Sequence, residues 1–254
     1  MQALREGSTA PVLGTSAALF YCEMSGNGLN QQDSSKSTAL FGGAISVLNS
    51  LLAVTASLIR GNKANEGSAV ADVSSYHSLV SLANTTIEKN AAKWHGAVAL
   101  LCVKRECFLK TTNSTVSFNT AEHGAGVWQA AGGAKMVVMG SEISLNAAAR
   151  TGGAVHSQGV TEVLGCVLNL NSAQQGGGSI HVGGGSVILR SSLVHSNLAQ
   201  RGAAGLCTSK AALNVSGTEV RNNTASIDGG GFLAEASCRL DLQSCVIQGE
   251  EMPW

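Results

Sequence analysis

The feature that most constrains this chain is a repeated pair, an asparagine followed two residues later by an alanine. Successive copies are 28, 29, 27, 25, 26 and 26 residues apart, and their asparagines are Asn62, Asn90, Asn119, Asn146, Asn171, Asn197 and Asn223. Five or six positions later comes a glycine, at Gly67, Gly96, Gly124, Gly152, Gly176, Gly202 and Gly229. An apolar residue then follows, at Val70, Val98, Val127, Val155, Ile180, Leu206 and Phe232. A period of this length is typical of solenoids, whose units bury their apolar faces against their neighbours.

The positions before each asparagine indicate extended backbone. The third position before it is always aliphatic, at Ile59, Ile87, Val116, Ile143, Leu168, Val194 and Val220. The fifth is small, at Ser57, Thr85, Ser114, Ser141, Cys166, Ser192 and Thr218. The eighth and tenth are mostly apolar, with the β-branched exceptions Thr111 and Thr161. Apolar residues two apart are a strand signal and do not follow the helical period of about 3.6.

The sequence therefore predicts an all-β fold, a right-handed parallel β-helix of about eight coils of 25–29 residues, each with two or three short strands. The template also fits the start of the chain, at Leu19, Cys22, Met24 and Asn27, and its end, at Leu240, Leu242, Cys245, Ile247 and Glu250. Residues 1–254 are thus interpreted as one repeat domain with a longer connection at about 28–41. Since both terminal coils are incomplete, we expect a fragment of a longer repeat protein with open coil ends that could associate edge to edge.

The repeated asparagines are predicted to form a structural ladder, in which each amide bonds to the amides of the coils above and below. Its members are Asn27, Asn62, Asn90, Asn119, Asn146, Asn171, Asn197 and Asn223. Each is expected at a corner in the left-handed backbone region, which asparagine tolerates. A leucine-rich repeat is the alternative architecture, but that repeat has leucine where alanine follows here, and usually a helical return.

The written-out repeat resembles that of the chlamydial polymorphic outer-membrane proteins, which pair a G-G-A-[ILV] motif with F-x-x-N. The first motif occurs as GGAI at Gly42–Ile45 and as GGAV at Gly152–Val155. The second occurs with an aliphatic residue in place of phenylalanine, as in IRGN, IEKN and ISLN. The resemblance covers nearly the whole chain. It implies a β-helical passenger domain of the pectin-lyase-like fold, displayed at the cell surface or outside the cell and acting in adhesion.

Composition excludes several other classes of protein. Sixteen basic and sixteen acidic side chains cancel, so the phosphate neutralisation that nucleic-acid binding needs has no basic surface to supply it. The chain contains no apolar run of about 20 residues that would span a bilayer. The weakly apolar run VLGTSAALFYC fits the repeat and is interpreted as a coil, so no signal peptide is predicted. Seven cysteines, an odd number, do not predict a disulfide framework. Cys102 and Cys107 could pair across a bend, but the cysteines are interpreted mainly as buried thiols.

An enzymatic function is tested by the carboxylates, because polysaccharide lyases and hydrolases of this fold need them in clusters. The four aspartates, Asp33, Asp72, Asp228 and Asp241, form no pair in sequence and do not share a template position in neighbouring coils. We therefore predict no catalytic, cofactor-binding or metal site, and a binding or structural module whose partner is a surface protein or a glycan. A polysaccharide-active enzyme and a glycan-binding module are the alternatives.

Several other side chains bear on these alternatives. His95 and His123 share one template position in adjacent coils, and so do His156 and His181. Two imidazoles without a third ligand make a weak metal site, so the four histidines are interpreted as outward residues on a polar face. The sequons at Asn84, Asn113, Asn214 and Asn222 are candidate glycosylation sites, of which the first two should point outwards. Trp94 and Trp128 are positioned either to pack over turns or to stack on a sugar.

Overall fold

The computed structural model describes residues 16–27, 41–102 and 107–252, together with the backbone of short strands at 3–4 and 10–13. All regular elements in these residues are strands, and their pairing is parallel throughout. The chain is a right-handed parallel β-helix, as predicted, and the helical return of a leucine-rich repeat is not found in the described residues. The predicted connection at about 28–41 lies outside the described residues except for Phe41, and so does Asp33.

Four parallel sheets run along the β-helix, numbered here in the order in which the chain visits them within a turn, with strands numbered along the chain. Sheet 1 contains β3 (Ser16–Phe20), β6 (Leu51–Thr55), β10 (Ser78–Ala83), β14 (Cys107–Thr112), β18 (Lys135–Met139), β22 (Val160–Leu164), β26 (Ser186–Arg190), β30 (Ala212–Ser216) and β34 (Arg239–Gln243). Sheet 2 contains β1 (Ala3–Leu4), β4 (Glu23–Ser25), β7 (Leu58–Arg60), β11 (Thr86–Glu88), β15 (Thr115–Ser117), β19 (Glu142–Ser144), β23 (Val167–Asn169), β27 (Leu193–His195), β31 (Glu219–Arg221) and β35 (Val246–Gln248).

Sheet 3 contains β8 (Lys63–Glu66), β12 (Ala91–His95), β16 (Thr120–His123), β20 (Ala147–Thr151), β24 (Ser172–Gly176), β28 (Leu198–Arg201) and β32 (Thr224–Asp228). Sheet 4 contains β2 (Ala10–Leu13), β5 (Ile45–Leu48), β9 (Val70–Asp72), β13 (Val98–Leu100), β17 (Val127–Gln129), β21 (Val155–Ser157), β25 (Ile180–Val182), β29 (Gly205–Cys207) and β33 (Phe232–Ala234). Within the described residues, seven turns of the β-helix have a strand in every sheet. The prediction of two or three strands per coil was therefore wrong, because the segment with the repeated alanine pairs between coils as sheet 3.

The hydrophobic core is built from equivalent residues stacked in register. Ile59, Ile87 and Val116 are direct partners in sheet 2, and the aliphatic residue three before each of the seven repeated asparagines is fully buried. Burying each such side chain contributes about 1.5–3 kcal/mol. Both β-branched exceptions, Thr111 and Thr161, are also buried in these columns. A coil exposes its apolar edge when it is alone, so the stacking supplies most of the stability.

The repeated asparagines form a continuous buried ladder. In a typical step, the backbone N–H and the Nδ2 of Asn119 both donate to Oδ1 of Asn146, at 3.0 Å each. The Nδ2 of Asn146 donates onward to Oδ1 of Asn171 at 3.0 Å and back to the carbonyl of Val116 at 2.9 Å. Each amide thereby ties together three successive coils. At the end of the ladder the carboxylate of Glu250 accepts both donors of Asn223 at 3.2 Å, and its burial raises the pKa of Glu250.

A second ladder uses the small-residue position. The hydroxyl of Ser114 accepts from the backbone N–H of Thr85 at 3.1 Å and donates to the carbonyl of Thr112 at 2.8 Å. Cys166 occupies the same position, where its thiol is buried and its backbone N–H donates to the hydroxyl of Ser192. Cys22 and Cys245 also fill this position and pack against the core with free thiols. These three cysteines therefore have packing roles.

The corners differ from the prediction in one respect. The left-handed residue is the one immediately before the ladder asparagine, as at Lys89 (φ 55°) and Leu145 (φ 57°), whereas the ladder asparagines are not among the positive-φ residues. A second left-handed corner lies six positions before the asparagine, at Asn84 and Asn113. The left-handed corners place the asparagine side chain inside, where both amide atoms are used from Asn62 to Asn223, whereas Asn27 joins the ladder only through its backbone N–H.

Two template assignments shift by one residue. Gly177 (φ 64°), not Gly176, is the turn glycine of its coil, because a Cβ on Gly177 would lie 2.4 Å from the carbonyl oxygen of Ile180. Gly205, not Leu206, pairs with Ile180 in sheet 4, so Leu206 lies in the column of His181. Sheet 3 contains register shifts between Ala173 and Gly176, which explains why a fixed count misplaced these residues.

Two disulfides correct the interpretation of the cysteines as mainly free thiols. Cys102 and Cys107 are joined across a bend, with a Cα–Cα distance of 6.1 Å. Cys207 and Cys238 are joined between neighbouring coils, with a Cα–Cα distance of 5.9 Å. The second pair is 31 residues apart in sequence. The register places Cys207 beside Ala234, and the turn that follows, in which the N–H of Cys238 donates to the carbonyl of Glu235 at 3.0 Å, brings Cys238 back to Cys207.

We predict that Asn146→Ala lowers the free energy of unfolding by about 1–3 kcal/mol, because both donors of Asn119 and the acceptor of Asn171 lose a partner. Urea unfolding measures the change. Asn214→Ala removes a half-buried asparagine outside the ladder and should change the free energy by less than about 0.5 kcal/mol. Equal effects of the two substitutions would contradict the ladder's role.

Loop-closure entropy predicts that removal of the two disulfides lowers the stability of the fold by unequal amounts. Replacing both Cys207 and Cys238 by alanine should lower stability by about 4 kcal/mol, against about 2 kcal/mol for the same change at Cys102 and Cys107, because the first pair closes the longer loop. Urea unfolding of the two double variants, with peptide mapping of the wild-type bonds, tests this. The reverse order of losses would refute it.

Candidate functional site

The side chains best suited to proton transfer or ligand binding form a strip on the outer side of the β-helix, where sheets 3 and 4 meet. We call it the histidine strip, and it consists of His95, His123, Trp128, His156 and His181. The turn glycines Gly124 (φ 55°) and Gly152 (φ 70°) reverse the chain between the two sheets. As a result, residues five apart in one coil, such as Thr151 and His156, face each other across the turn.

The two histidines of sheet 4 are in direct contact. His156 and His181 are register partners in β21 and β25, and their Nδ1 atoms lie 3.0 Å apart. Their exposed fractions are only 3% and 8%. At this distance one ring must donate its Nδ1–H and the other must present its Nδ1 lone pair, so the two rings share one hydrogen bond. Nε2 of His181 lies 3.3 Å from the hydroxyl of Thr208.

A hydroxyl connects this pair to the next histidine. The Thr151 Oγ1 lies 3.0 Å from Nδ1 of His156 and 2.7 Å from Nδ1 of His123. His123, Thr151, His156 and His181 therefore form one hydrogen-bonded chain that crosses three coils. Nε2 of His123 lies 3.8 Å from the carboxylate of Glu122.

The other end of the strip is aromatic and charged. The ring of His95 stacks on Trp128 with centroids 3.9 Å apart, and its Nδ1 lies 2.5 Å from the carboxylate of Glu66. The rings of His95 and His123 stack at 5.9 Å, and Trp128 stacks on His156 at 6.4 Å. Trp128 is only 5% exposed, so it packs over the turns and cannot stack on a sugar.

The surroundings favour neutral histidines. Burial, then the neighbouring His181, lowers the pKa of His156 well below its ordinary value. Burial also lowers the pKa of His181 to about 4. The pKa of His123 is lowered by burial, by His95 and by Arg150. The charged groups around the strip are Glu66, Glu122 and Arg150, and the last two pair with each other at 3.2 Å.

The interpretation of the four histidines as outward residues holds for the side of the sheets on which they lie, but they do not form an exposed polar face. His156 and His181 are buried, and the half-buried His95 and His123 have specific partners. The pairing of each two histidines one coil apart could be deduced from the repeat. Their assembly into one strip could not, because it depends on how the glycine turn brings two sheets together. Within the described residues, no group of three or more histidine, cysteine, aspartate or glutamate side chains is arranged to hold a metal ion.

The described aspartates that were considered as catalytic candidates have different structural roles. Asp72 is fully buried, and its carboxylate accepts from the backbone of Ser74 at 3.1 Å and from the hydroxyl of Ser78 at 2.5 Å. Asp228 and Asp241 form surface ion pairs with arginines. The structure brings no two of these three carboxylates into contact with each other.

The remaining candidates lie on the surface. Asn84, Asn113 and Asn222 are exposed, whereas Asn214 is half-buried. The first two point outwards, as predicted. Trp94 is 41% exposed, and the ammonium of Lys93 lies 4.9 Å from the centre of its ring.

Comparisons with known proteins give no relative for this arrangement, since no family model, curated protein or solved structure matches the chain. None of the described residues belongs to a helix long and apolar enough to cross a membrane.

We predict that acidification destabilises the fold through the histidine strip. The unfolded chain binds protons near pH 6.5, whereas folded His181 does so only near pH 4, so the stability present above pH 6.5 is lost as the pH falls towards 4. The loss from this residue reaches about 3 kcal/mol. Melting curves from pH 7.5 to 4.5 should therefore show a smaller drop for the double variant His156→Gln, His181→Gln than for the wild type. His77→Gln, at an exposed histidine, is the control and should retain the wild-type slope. An unchanged slope in the double variant would contradict the assignment.

Proposed function

We propose that the chain is a non-enzymatic β-helical module that acts at a cell surface or outside the cell, as an adhesin-like or structural scaffold. The observation that carries this proposal is that the inward residues of each coil recur, whereas the outward residues vary. The residues that recur in the repeat face inward or form corners, as Asn119 and Val116 do. The outward positions vary from coil to coil, so the surface presents a different set of side chains at each level. A rod with a repeated interior and a variable exterior is suited to binding a large partner along its length.

The disulfides support the extracellular part of the proposal. Disulfides persist in oxidising environments and are rare in the cytosol, and two of them staple this stack. The resemblance of the repeats to those of the polymorphic outer-membrane proteins agrees with the same location. We therefore propose that the chain is a distant relative of that family, with a pectin-lyase-like β-helix and a surface protein or glycan as its partner.

The placement of the carboxylates favours binding over catalysis. A polysaccharide lyase or hydrolase needs carboxylates or basic groups that converge on a substrate. Asp72 faces the interior and is engaged by two serines, and the strip's Glu66 and Glu122 are engaged by His95 and Arg150. Trp128 is buried and cannot contact a sugar, so the glycan-binding alternative depends on the exposed Trp94.

An assay on polysaccharides separates these functions. We expect no release of reducing ends or unsaturated products when the purified chain is incubated with polyuronides and neutral glycans. Cleavage would refute the non-enzymatic proposal.

A glycan array tests the alternative. Specific glycan binding that is lost in Trp94→Ala but kept in Trp128→Phe would identify a glycan-binding module with Trp94 in its contact surface. Binding unaffected by either change would place the contact elsewhere on the rod, and an absence of glycan binding would favour a protein partner.

A further inference from the structure

The contact between His156 and His181 has the form of a preorganised pair of metal ligands. Parallel pairing of β21 and β25 fixes the two residues as direct register partners, and their Nδ1 atoms lie 3.0 Å apart. A neutral imidazole presents a lone pair on one of its two ring nitrogens, and in the tautomer with the proton on Nε2 that nitrogen is Nδ1. Two imidazoles alone usually make a weak metal site. Here the parallel pairing of the backbone already holds the two nitrogens close together, so metal binding does not require the two residues to be brought together.

The nitrogen separation discriminates between metals. With metal–nitrogen bonds of about 2.0–2.1 Å, two nitrogens 3.0 Å apart subtend about 94° at the metal. This is the angle between adjacent ligands in a square-planar or tetragonal complex, which Cu²⁺ and Ni²⁺ adopt. Tetrahedral Zn²⁺ needs about 109° and hence a separation of about 3.3 Å. Among divalent ions, Cu²⁺ also has the highest affinity for nitrogen ligands.

The groups around the pair include a further oxygen ligand and partners for the displaced proton. Thr151 Oγ1, 3.0 Å from Nδ1 of His156, is an oxygen beside the proposed position. The shared proton moves to Nε2 of the ring that held it, where Gln158 lies 3.5 Å from Nε2 of His156 and Thr208 lies 3.3 Å from Nε2 of His181. Gly183 packs beside both rings without a side chain, since a Cβ there would lie 3.3 Å from Cε1 of His181 and 3.6 Å from Nε2 of His156.

We propose that His156 and His181 bind one Cu²⁺ ion through their two Nδ1 atoms, with the Thr151 hydroxyl and water in the remaining positions. His123 lies one hydroxyl further away, with its Nδ1 2.7 Å from Thr151 Oγ1, and acts as a positioning residue for that hydroxyl. The proposal is independent of the adhesin-like function, because it requires only the two rings and their register.

The test is a titration of the purified full chain with copper(II) sulfate at pH 7.5. Isothermal calorimetry measures the binding, and electron paramagnetic resonance reports the geometry of the bound Cu²⁺. We expect one Cu²⁺ per chain with tetragonal parameters, weaker binding of Ni²⁺ and the weakest binding of Zn²⁺. His156→Gln and His181→Gln should each weaken Cu²⁺ binding at least tenfold. His77→Gln, at an exposed histidine outside the strip, should bind as the wild type does.

Wild-type chain labelled with ¹⁵N-histidine provides a measurement that does not depend on a variant's folding. Hyperfine coupling of Cu²⁺ to two imidazole nitrogens would support the site. Coupling to one imidazole or none would overturn the proposal, and so would equal Cu²⁺ affinity in the wild type and in a folded double variant His156→Gln, His181→Gln. Tighter binding of Zn²⁺ than of Cu²⁺ would overturn the predicted choice of metal.

Discussion

In-register stacking of the coils, held by the buried asparagine ladder, is the constraint on which the rest of this structure depends. Each side-chain amide from Asn62 to Asn223 uses its donors and its acceptor on the coils above and below, so a coil that slipped by one residue would leave buried polar groups without partners. The aliphatic columns are compatible with small slips, since one branched side chain packs much like another. The ladder therefore fixes the register, and the apolar columns supply most of the stability.

Register in the interior determines proximity on the exterior. Residues separated by a whole coil in sequence lie one strand spacing apart, about 4.8 Å, wherever they occupy the same position of the repeat. This is why His156 meets His181. Stacking of identical ionisable groups is unfavourable when they are charged. In the histidine strip the conflict is resolved by burial, which lowers the pKa of His156 and His181 and keeps both rings neutral.

The same rule shapes what the surface can do. A catalytic site needs unlike groups that converge on a substrate, whereas a regular stack tends to align side chains in parallel columns. The strip departs from this regularity because a glycine turn lets two columns face each other, so that Thr151 bridges His123 and His156. The result is a chain of hydrogen-bonded nitrogen and oxygen atoms, two of which are the proposed Cu²⁺ ligands. The flat faces of the rod remain free for a large partner.

By itself the sequence determined the period, the strand character and the inward columns, because those depend on residue types that recur at fixed spacing. It placed Asn146 beside its neighbours in the ladder and put Glu250 at the end of it. Only the tertiary structure decided which residue turns left-handed at each corner, how many strands each turn contains and which cysteines pair. These depend on backbone dihedrals and on sheet 3, whose register shifts change the number of residues between the asparagine and the turn glycine from coil to coil. The burial of His156 and its contact with Thr151 belong to the same class, since they arise where two sheets meet and no spacing along the chain encodes that angle.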